Sequence, residues 1–494
     1  MTELLGADTD ALDRAAHSLS DDARRLQDIR SQVQRVVAEM EAVWDGDDLR
    51  HLLQQWEQET SPHLAGASTT LDTCASQLRA QSDAQRAASR SDGRYDGPSP
   101  SLVASAGVLG TSTVTPPPHR SPRENASWWR SLSEQERQRV TEDHPDWIGN
   151  LDGVPFAARN QANRSLLAVD RARLVAEKQR LTDVLTGTWF GGTFTNDDEA
   201  LAHVEDKLAS LDAIEQTLAR PGDRQLLVLD LSHERAEAAI ARGNVDSADN
   251  VAVFVPGMNS GVNNDLPVYD HQMDQLQHRA ELESKRANPA LDPTTATVTW
   301  IGYQTPQLGW DLVGENSVAD DHAAEAGAAQ LAPFLSGIGA ARSRDAHLSL
   351  LGHSYGSTTA GLALRQSTGV DDVVFFGSPG VGTSDLLDLS VPKGHAYYIE
   401  ARLDPVGDLG HFGIDPSHLD GIEHASARES TVVDPVTGEM RHFTEVTGHS
   451  SYLVDDSTSQ YNLSVVVAGV PDRRVVDRGE GLGDVLSWPI PGTY

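Results

Sequence analysis

"LSLLGHSYGSTTAGLAL", residues 348–364, runs an apolar stretch into two glycines that bracket a serine, and then into small residues suited to a helix. Residues 348–351 read as a buried strand, 352–356 as a turn and 357–364 as a helix. A strand that bends this sharply into a helix leaves no room for side chains beside the bend, which accounts for Gly352 and Gly356. The same bend would lift the Ser354 hydroxyl clear of the strand and aim the Tyr355 N–H at charge developing on a carbonyl oxygen.

Short apolar runs of the same kind lie at 226–229, 251–255, 298–301, 373–376 and 396–399, with helix-like stretches between most of them. Alternation of this kind predicts a mostly parallel sheet covered by helices on both faces, with function gathered at the carboxyl ends of the strands. A serine hydroxyl is a poor nucleophile at neutral pH and needs a histidine base oriented by a carboxylate. In the α/β-hydrolase order of Ser, Asp, His, the acid follows the second strand beyond the serine, where "IEARLDPVGDLG" offers Asp404 first and Asp408 as its rival. Asp404 before Pro405 could also simply make a turn.

Five histidines follow Asp404: His411, His418, His424, His442 and His449. His442 falls in a hairpin arm, "TVVDPVTGEMRHFTEV", whereas His449 sits in the loop "VTGHSSYLV" and has the late position and freedom that a base needs. His411 and His418 with Asp415 can be read as metal ligands, but their spacing matches no common geometry. A second oxyanion donor is expected after the strand at 251–255, in "VFVPGMN", with the Met258 N–H best placed and Asn259 next. The glycine-rich loop 377–382 lacks the Lys-Ser/Thr of a phosphate cradle and reads as a wall of the site. The pattern calls for no cofactor.

The chain has 494 residues, which suggests two or three folded units. Its net charge of −34 would repel phosphate backbones and anionic lipid, so nucleic acid is excluded as an expected partner. With one cysteine, Cys74, neither an intramolecular disulfide nor a cysteine metal cluster can form. No apolar run approaches 18 residues and the first residues lack a basic and apolar leader, so the expectation is a soluble protein without an ordinary signal peptide.

Apolar residues at Leu12, Leu19, Leu26, Val33 and Met40 form a heptad seam, and a second stripe runs from Leu49 to Leu78. Two such helices separated by Trp44-Asp45-Gly46 predict an antiparallel hairpin over 1–86. Its turn, with Leu53 and Trp56 beyond it, resembles the WXG100 family of small proteins linked to type VII secretion. That resemblance implies self-association or a helical-hairpin partner, and a protein either cytoplasmic or exported by a type VII-like route. Residues 87–125, with three consecutive prolines at 116–118, read as a flexible linker. A mainly helical region follows over 126–224, as a cap or a packing element, beginning with a capping box at Ser133 and Glu136. The sheet domain should span 225–470, followed by a tail at 471–494.

"VFVPGMN", "WIGYQTP", "LLGHSYGSTTAGLAL", "VVFFGSPGVG", Asp404-Pro405 and "GHSSY", with "IGNLDGVP" and "AARNQANR" upstream, resemble the actinobacterial α/β-hydrolase family labelled DUF1023. The resemblance covers about 125–470. It implies an α/β-hydrolase core with Ser354, Asp404 and His449 at matching positions, acting on a small-molecule or lipid-like acyl substrate. The competing expectation is a secretion-associated effector or interaction protein in which the hydrolase core is a scaffold.

Overall fold

The computed structural model describes residues 120–187, 196–307, 322–404, 415–434 and 436–477, together with Pro116, Val406 and isolated positions between 20 and 79. The chain divides into two compact units, Met1–Thr111 and Ser112–Tyr494. In the first, the described positions are helical and Arg30 Nε donates to Ser61 Oγ at 2.9 Å. Trp44, Gly46, Leu53 and Trp56, on which the hairpin expectation turns, lie outside the described residues, as do nearly all of 87–119, and 478–494.

The second unit opens with helices α1 (Pro122–Ser131) and α2 (Glu134–Asp143). Both start with a reciprocal capping box, Ser121 with Glu124 and Ser133 with Glu136. Each box satisfies two backbone groups at the helix start. A helix therefore starts after Ser121, inside the stretch expected to be linker, because Ser-Pro-Arg-Glu there is itself a helix start with proline in the first turn. Two long helices follow, α3 (Phe156–Gly187) and α4 (Asn196–Leu218).

The sheet is built from β1 (Arg224–Asp230), β2 (Glu237–Arg242), β3 (Asn250–Val255), β4 (Thr295–Ile301), β5 (His347–His353), β6 (Asp372–Phe376), β7 (Ala396–Ile399) and β8 (Glu423–Ala425). Its order is β1-β2-β4-β3-β5-β6-β7-β8, antiparallel at β1/β2 and β2/β4 and parallel elsewhere. Helices α5 (Leu266–Ala287), α6 (His322–Ala341), α7 (Tyr355–Ala363) and α8 (Thr458–Val467) cover it. A side hairpin joins β9 (Ser430–Val433) to β10 (Met440–Phe443).

Central strands alternate between two cores. Val251, Val253 and Val255 of β3 face the cluster that holds Leu331, Phe334 and Leu335 of α6. Ala252 and Phe254 face Met273 and Leu276 of α5 and Leu463 of α8. A strand buried on both faces reads as an unbroken apolar run, which is why these strands were legible. Burial of each branched side chain contributes about 1.5–3 kcal/mol, so moving a central strand to an edge would cost several such terms.

The helical region before the sheet packs along β1, the edge strand. Asn150 takes both Leu229 N–H (3.0 Å) and Leu229 C=O (2.8 Å), while Asn160 accepts from Leu226 N–H at 2.8 Å and Asn163 donates to Leu226 C=O at 3.2 Å. Side-chain amides thus occupy backbone groups that an edge strand would otherwise offer to another chain. At the other end of the domain, Val475 N–H donates to Asn462 (2.7 Å) and Val476 bridges Ala425, so the first seven residues of the expected tail belong to the fold. Among the described residues, no helix is long and apolar enough to cross a membrane.

Candidate active site

Pairing register brings three strand ends level: Val255 of β3 opposes Gly352 of β5, and Gly352 opposes Phe375 of β6. The loops that follow these strands meet at Ser354. Ser354 has φ 54° and ψ −133°, a strained setting for a side-chain-bearing residue. Its N–H donates to the Phe376 carbonyl at 3.1 Å, which anchors the bend to the neighbouring strand. A Cβ at Gly356 would fall 2.3 Å from the Val255 carbonyl oxygen, and one at Gly352 would fall 2.8 Å from Ser357 Cα. Both glycines are required by close approach of backbone, as the sequence suggested.

Ser354 is buried, at 2% exposure, and its Oγ lies 2.8 Å from His449 Nε2. His449 Nδ1 lies 3.0 and 3.1 Å from the two oxygens of Asp404. A carboxylate only accepts, so Nδ1 carries the proton and bare Nε2 faces the serine hydroxyl. Burial works to raise the Asp404 pKa, but hydrogen bonds from His449, the Tyr452 hydroxyl and the Val406 N–H outweigh it and hold the carboxyl below the ordinary aspartate value. Asp404 is therefore ionised at neutral pH, the state that stabilises an imidazolium.

Two contacts escaped the sequence reading. Tyr452 donates to Asp404 Oδ2 at 2.6 Å and accepts from the Ala401 N–H at 2.9 Å, and burial pushes its phenol well above the ordinary tyrosine range. His353, the residue before the nucleophile candidate, lies 2.9 Å from the His449 carbonyl oxygen. The "GHSSY" spacing held a signal for Tyr452, a polar aromatic three residues beyond the base candidate. Position 353 held none, because G-x-S-x-G leaves it free.

A Cβ at Gly257 would fall 2.5 Å from Ser354 Cβ and 2.9 Å from its Oγ, so the loop after β3 runs directly beside the hydroxyl. Among the described residues the Met258 N–H makes no hydrogen bond, whereas the Asn259 N–H is taken by the Pro306 carbonyl at 2.8 Å. Tyr355 opens α7, whose N-terminal end adds a positive dipole toward the same point. The loop at 377–382 is tied to α7 by Thr358, which donates to the Gly380 carbonyl at 2.8 Å.

Among the described residues, the other histidine candidates have other partners. His442 sits on β10 with its Nδ1 2.8 Å from Thr431 Oγ1, and His424 stands edge-on to Tyr398. His418 faces Asp415 at 3.1 Å in a short turn. Asp408 and His411 lie outside the described residues. Asp230, His233 and Glu237 form the group of described residues whose donor atoms, all within 4.8 Å, could hold a metal ion. Their carboxylates already have partners: Ser232 on Asp230, and Gln304 and His233 on Glu237.

A mostly parallel eight-stranded sheet with a serine lifted at a strand-to-helix bend, and a His–Asp pair brought to it, defines the alpha/beta hydrolase class. The chain belongs to the alpha/beta hydrolase family, whose model matches residues 232–414. It is 33% identical over 242 residues to the uncharacterized protein Rv0963c of Mycobacterium tuberculosis, spanning 47% of this chain and 88% of that one. It is 29% identical over 524 residues to Rv2079 of the same organism, also uncharacterized, spanning 98% of this chain and 76% of the relative. Among solved structures, an esterase of the archaeon Pyrobaculum calidifontis aligns with a TM-score of 0.32 at 12% identity, covering 60% of this chain and 97% of that one.

Proposed function

We propose that this chain is a serine hydrolase that cleaves an ester or other acyl bond. The observation that carries the reading is the 2.8 Å approach of His449 Nε2 to Ser354 Oγ, with Asp404 on the far nitrogen. Ser354 Oγ bonds to the acyl carbon while its proton passes to His449 Nε2, and the carbonyl oxygen takes the negative charge between the Tyr355 and Met258 N–H groups. Collapse expels the alcohol or amine, which takes the proton from His449 and leaves an acyl-serine. Water, giving a proton to His449, then attacks the acyl carbon; the bond from that carbon to Ser354 Oγ breaks, Oγ takes the proton back from His449, and the acid is released. Asp404 holds the imidazole in the required tautomer and stabilises its charged form. Family membership supports the hydrolase reading; the restriction to acyl bonds and the DUF1023 affiliation rest on the geometry and the motifs.

A fluorophosphonate probe should label the full chain, and Ser354→Ala should abolish the labelling. Labelling that survives the substitution overturns the assignment. For residues 1–86 the reading rests on sequence: a two-helix stripe buries too little alone and needs a cover, which the chain's own hydrolase region, a second copy or a WXG100-like hairpin protein could supply; the WXG100 resemblance favours association in trans, and export by a type VII-like route is compatible with it. Light scattering tests this on the full chain. A 53.2 kDa monomer that forms no complex when mixed with a WXG100-like hairpin protein refutes it.

A further inference from the structure

His353 ends β5, so the chain that presents Ser354 presents this imidazole one residue earlier. Its Nε2 lies 2.9 Å from the His449 carbonyl oxygen. A carbonyl oxygen only accepts, so Nε2 carries the proton and donates it. The ring lies nearly parallel to Phe376 (centroids 5.1 Å, 25°) and to the His449 imidazole itself (4.9 Å, 30°), with Tyr452 at 5.8 Å. The His449 loop has a second anchor, where the Gly448 N–H donates to the Arg402 carbonyl at 2.9 Å, two residues from Asp404. One anchor therefore refers the base to the strand carrying the nucleophile, and the other to the segment carrying the acid.

Resting on the triad reading above, we propose that His353 is a positioning residue: a neutral donor that pins the His449 main chain, and through it the imidazole, against the hydroxyl of the next residue in the chain. Three demands meet at this position. The side chain must reach a carbonyl with an N–H, and it must be flat enough to lie against the face of His449. It must also stay uncharged while His449 takes up a proton, since a cation stacked on the imidazolium would oppose that step. Burial, aided by the adjacent His449, pushes the His353 pKa down to about 4, which meets this last demand. Lysine or arginine would supply the donor with the wrong charge, and phenylalanine the plane without the donor.

The test uses the full chain and fluorophosphonate labelling, with the maximal rate (kinact) and the binding constant (KI) measured separately beside thermal unfolding. His353→Phe retains the flat ring and loses the donor; His353→Gln loses the ring and retains an N–H of similar reach. Expected is a fall in kinact of about 10- to 100-fold for His353→Phe with KI unchanged, in the range that a misplacement of about 1 Å produces. His353→Gln should recover most of that loss. If the Phe ring prevents folding, His353→Met supplies the donor-free comparison. Wild-type kinact in a folded donor-free variant overturns the proposal and leaves the Ser354 reading intact, as does a folded Gln variant as slow as the donor-free one. An unlabelled wild type, or a labelled Ser354→Ala, overturns both.

Discussion

The two ends of β5 carry the same pair of chemical groups and do different things with them. At the carboxyl end, His449 faces the Asp404 carboxylate and turns its other nitrogen to Ser354. At the amino end, about 20 Å away along the strand, Asp372 receives His347 Nε2 at 2.6 Å and His395 Nδ1 at 2.7 Å. There, among the described residues, the outer nitrogen of His347 meets the Val467 carbonyl, at 3.4 Å, and no hydroxyl. Burial disfavours charge on His347, but the Asp372 hydrogen bond and the attraction of Asp372 and Asp371 outweigh it and hold its pKa above the ordinary histidine value. A His–Asp contact is thus a stabilising pair at one end. At the other it is a candidate catalytic device, because only there does a bend in the backbone offer the free nitrogen a nucleophile.

Asparagine substitutions at the two aspartates should separate the roles. Asp404→Asn allows the wrong imidazole tautomer and should slow fluorophosphonate labelling by up to about 10⁴-fold, with the fold retained. Labelling within a few-fold of wild type would remove Asp404 from the site. Asp372→Asn should leave the labelling rate unchanged and lower stability to urea by about 1.5–3 kcal/mol, the range for hydrogen bonds to charged groups. A labelling defect without a stability loss would reverse the comparison.

The smallest expected effect is a dependence on pH. Because the folded His347 pKa is raised, the stability it contributes through Asp372 is complete below the unfolded histidine value of about 6.5 and is lost as pH rises through the higher folded value. Urea titrations of wild type and His347→Gln across this window should show the difference between them shrinking as pH rises. A difference that grows with pH would show that His347 is held neutral. Asp404 has the opposite sign: its pKa is lowered, so its contribution is present above the ordinary aspartate value and lost as pH falls through the folded one.

Much of the sheet was legible in the chain. Six strands were readable as apolar runs, because burial on both faces removes the need for polar residues and leaves a signal local in sequence. Two strands of the main sheet were not. β2 is Glu-Ala-Ala-Ile-Ala-Arg, alanine-rich and helix-like, and becomes a strand only because β1 and β4 flank it, both antiparallel. β8 has three residues, too few for any period to register. The serine bend was readable for a local reason as well, since glycines at 352 and 356 answer to backbone atoms that crowd any strand-to-helix turn of this kind.

Chain order and loop position singled out Asp404 and His449 as the expected partners of Ser354, with Asp408 and four other histidines as rivals, but could not show that the three side chains meet. His449 is 95 residues from Ser354 and 45 from Asp404. Their approach depends on the register that levels β3, β5 and β6 and on anchors such as His353 to the His449 carbonyl and Tyr452 to Asp404. Sequence by itself determined six of the eight main-sheet strands, the bend and the types of residue available, because propensity, burial period and steric crowding act between near neighbours. Which histidine meets which carboxylate, and which end of β5 presents a nucleophile to the pair, was decided by tertiary structure, because hydrogen bonds of about 3 Å between distant segments leave no periodic trace along the chain.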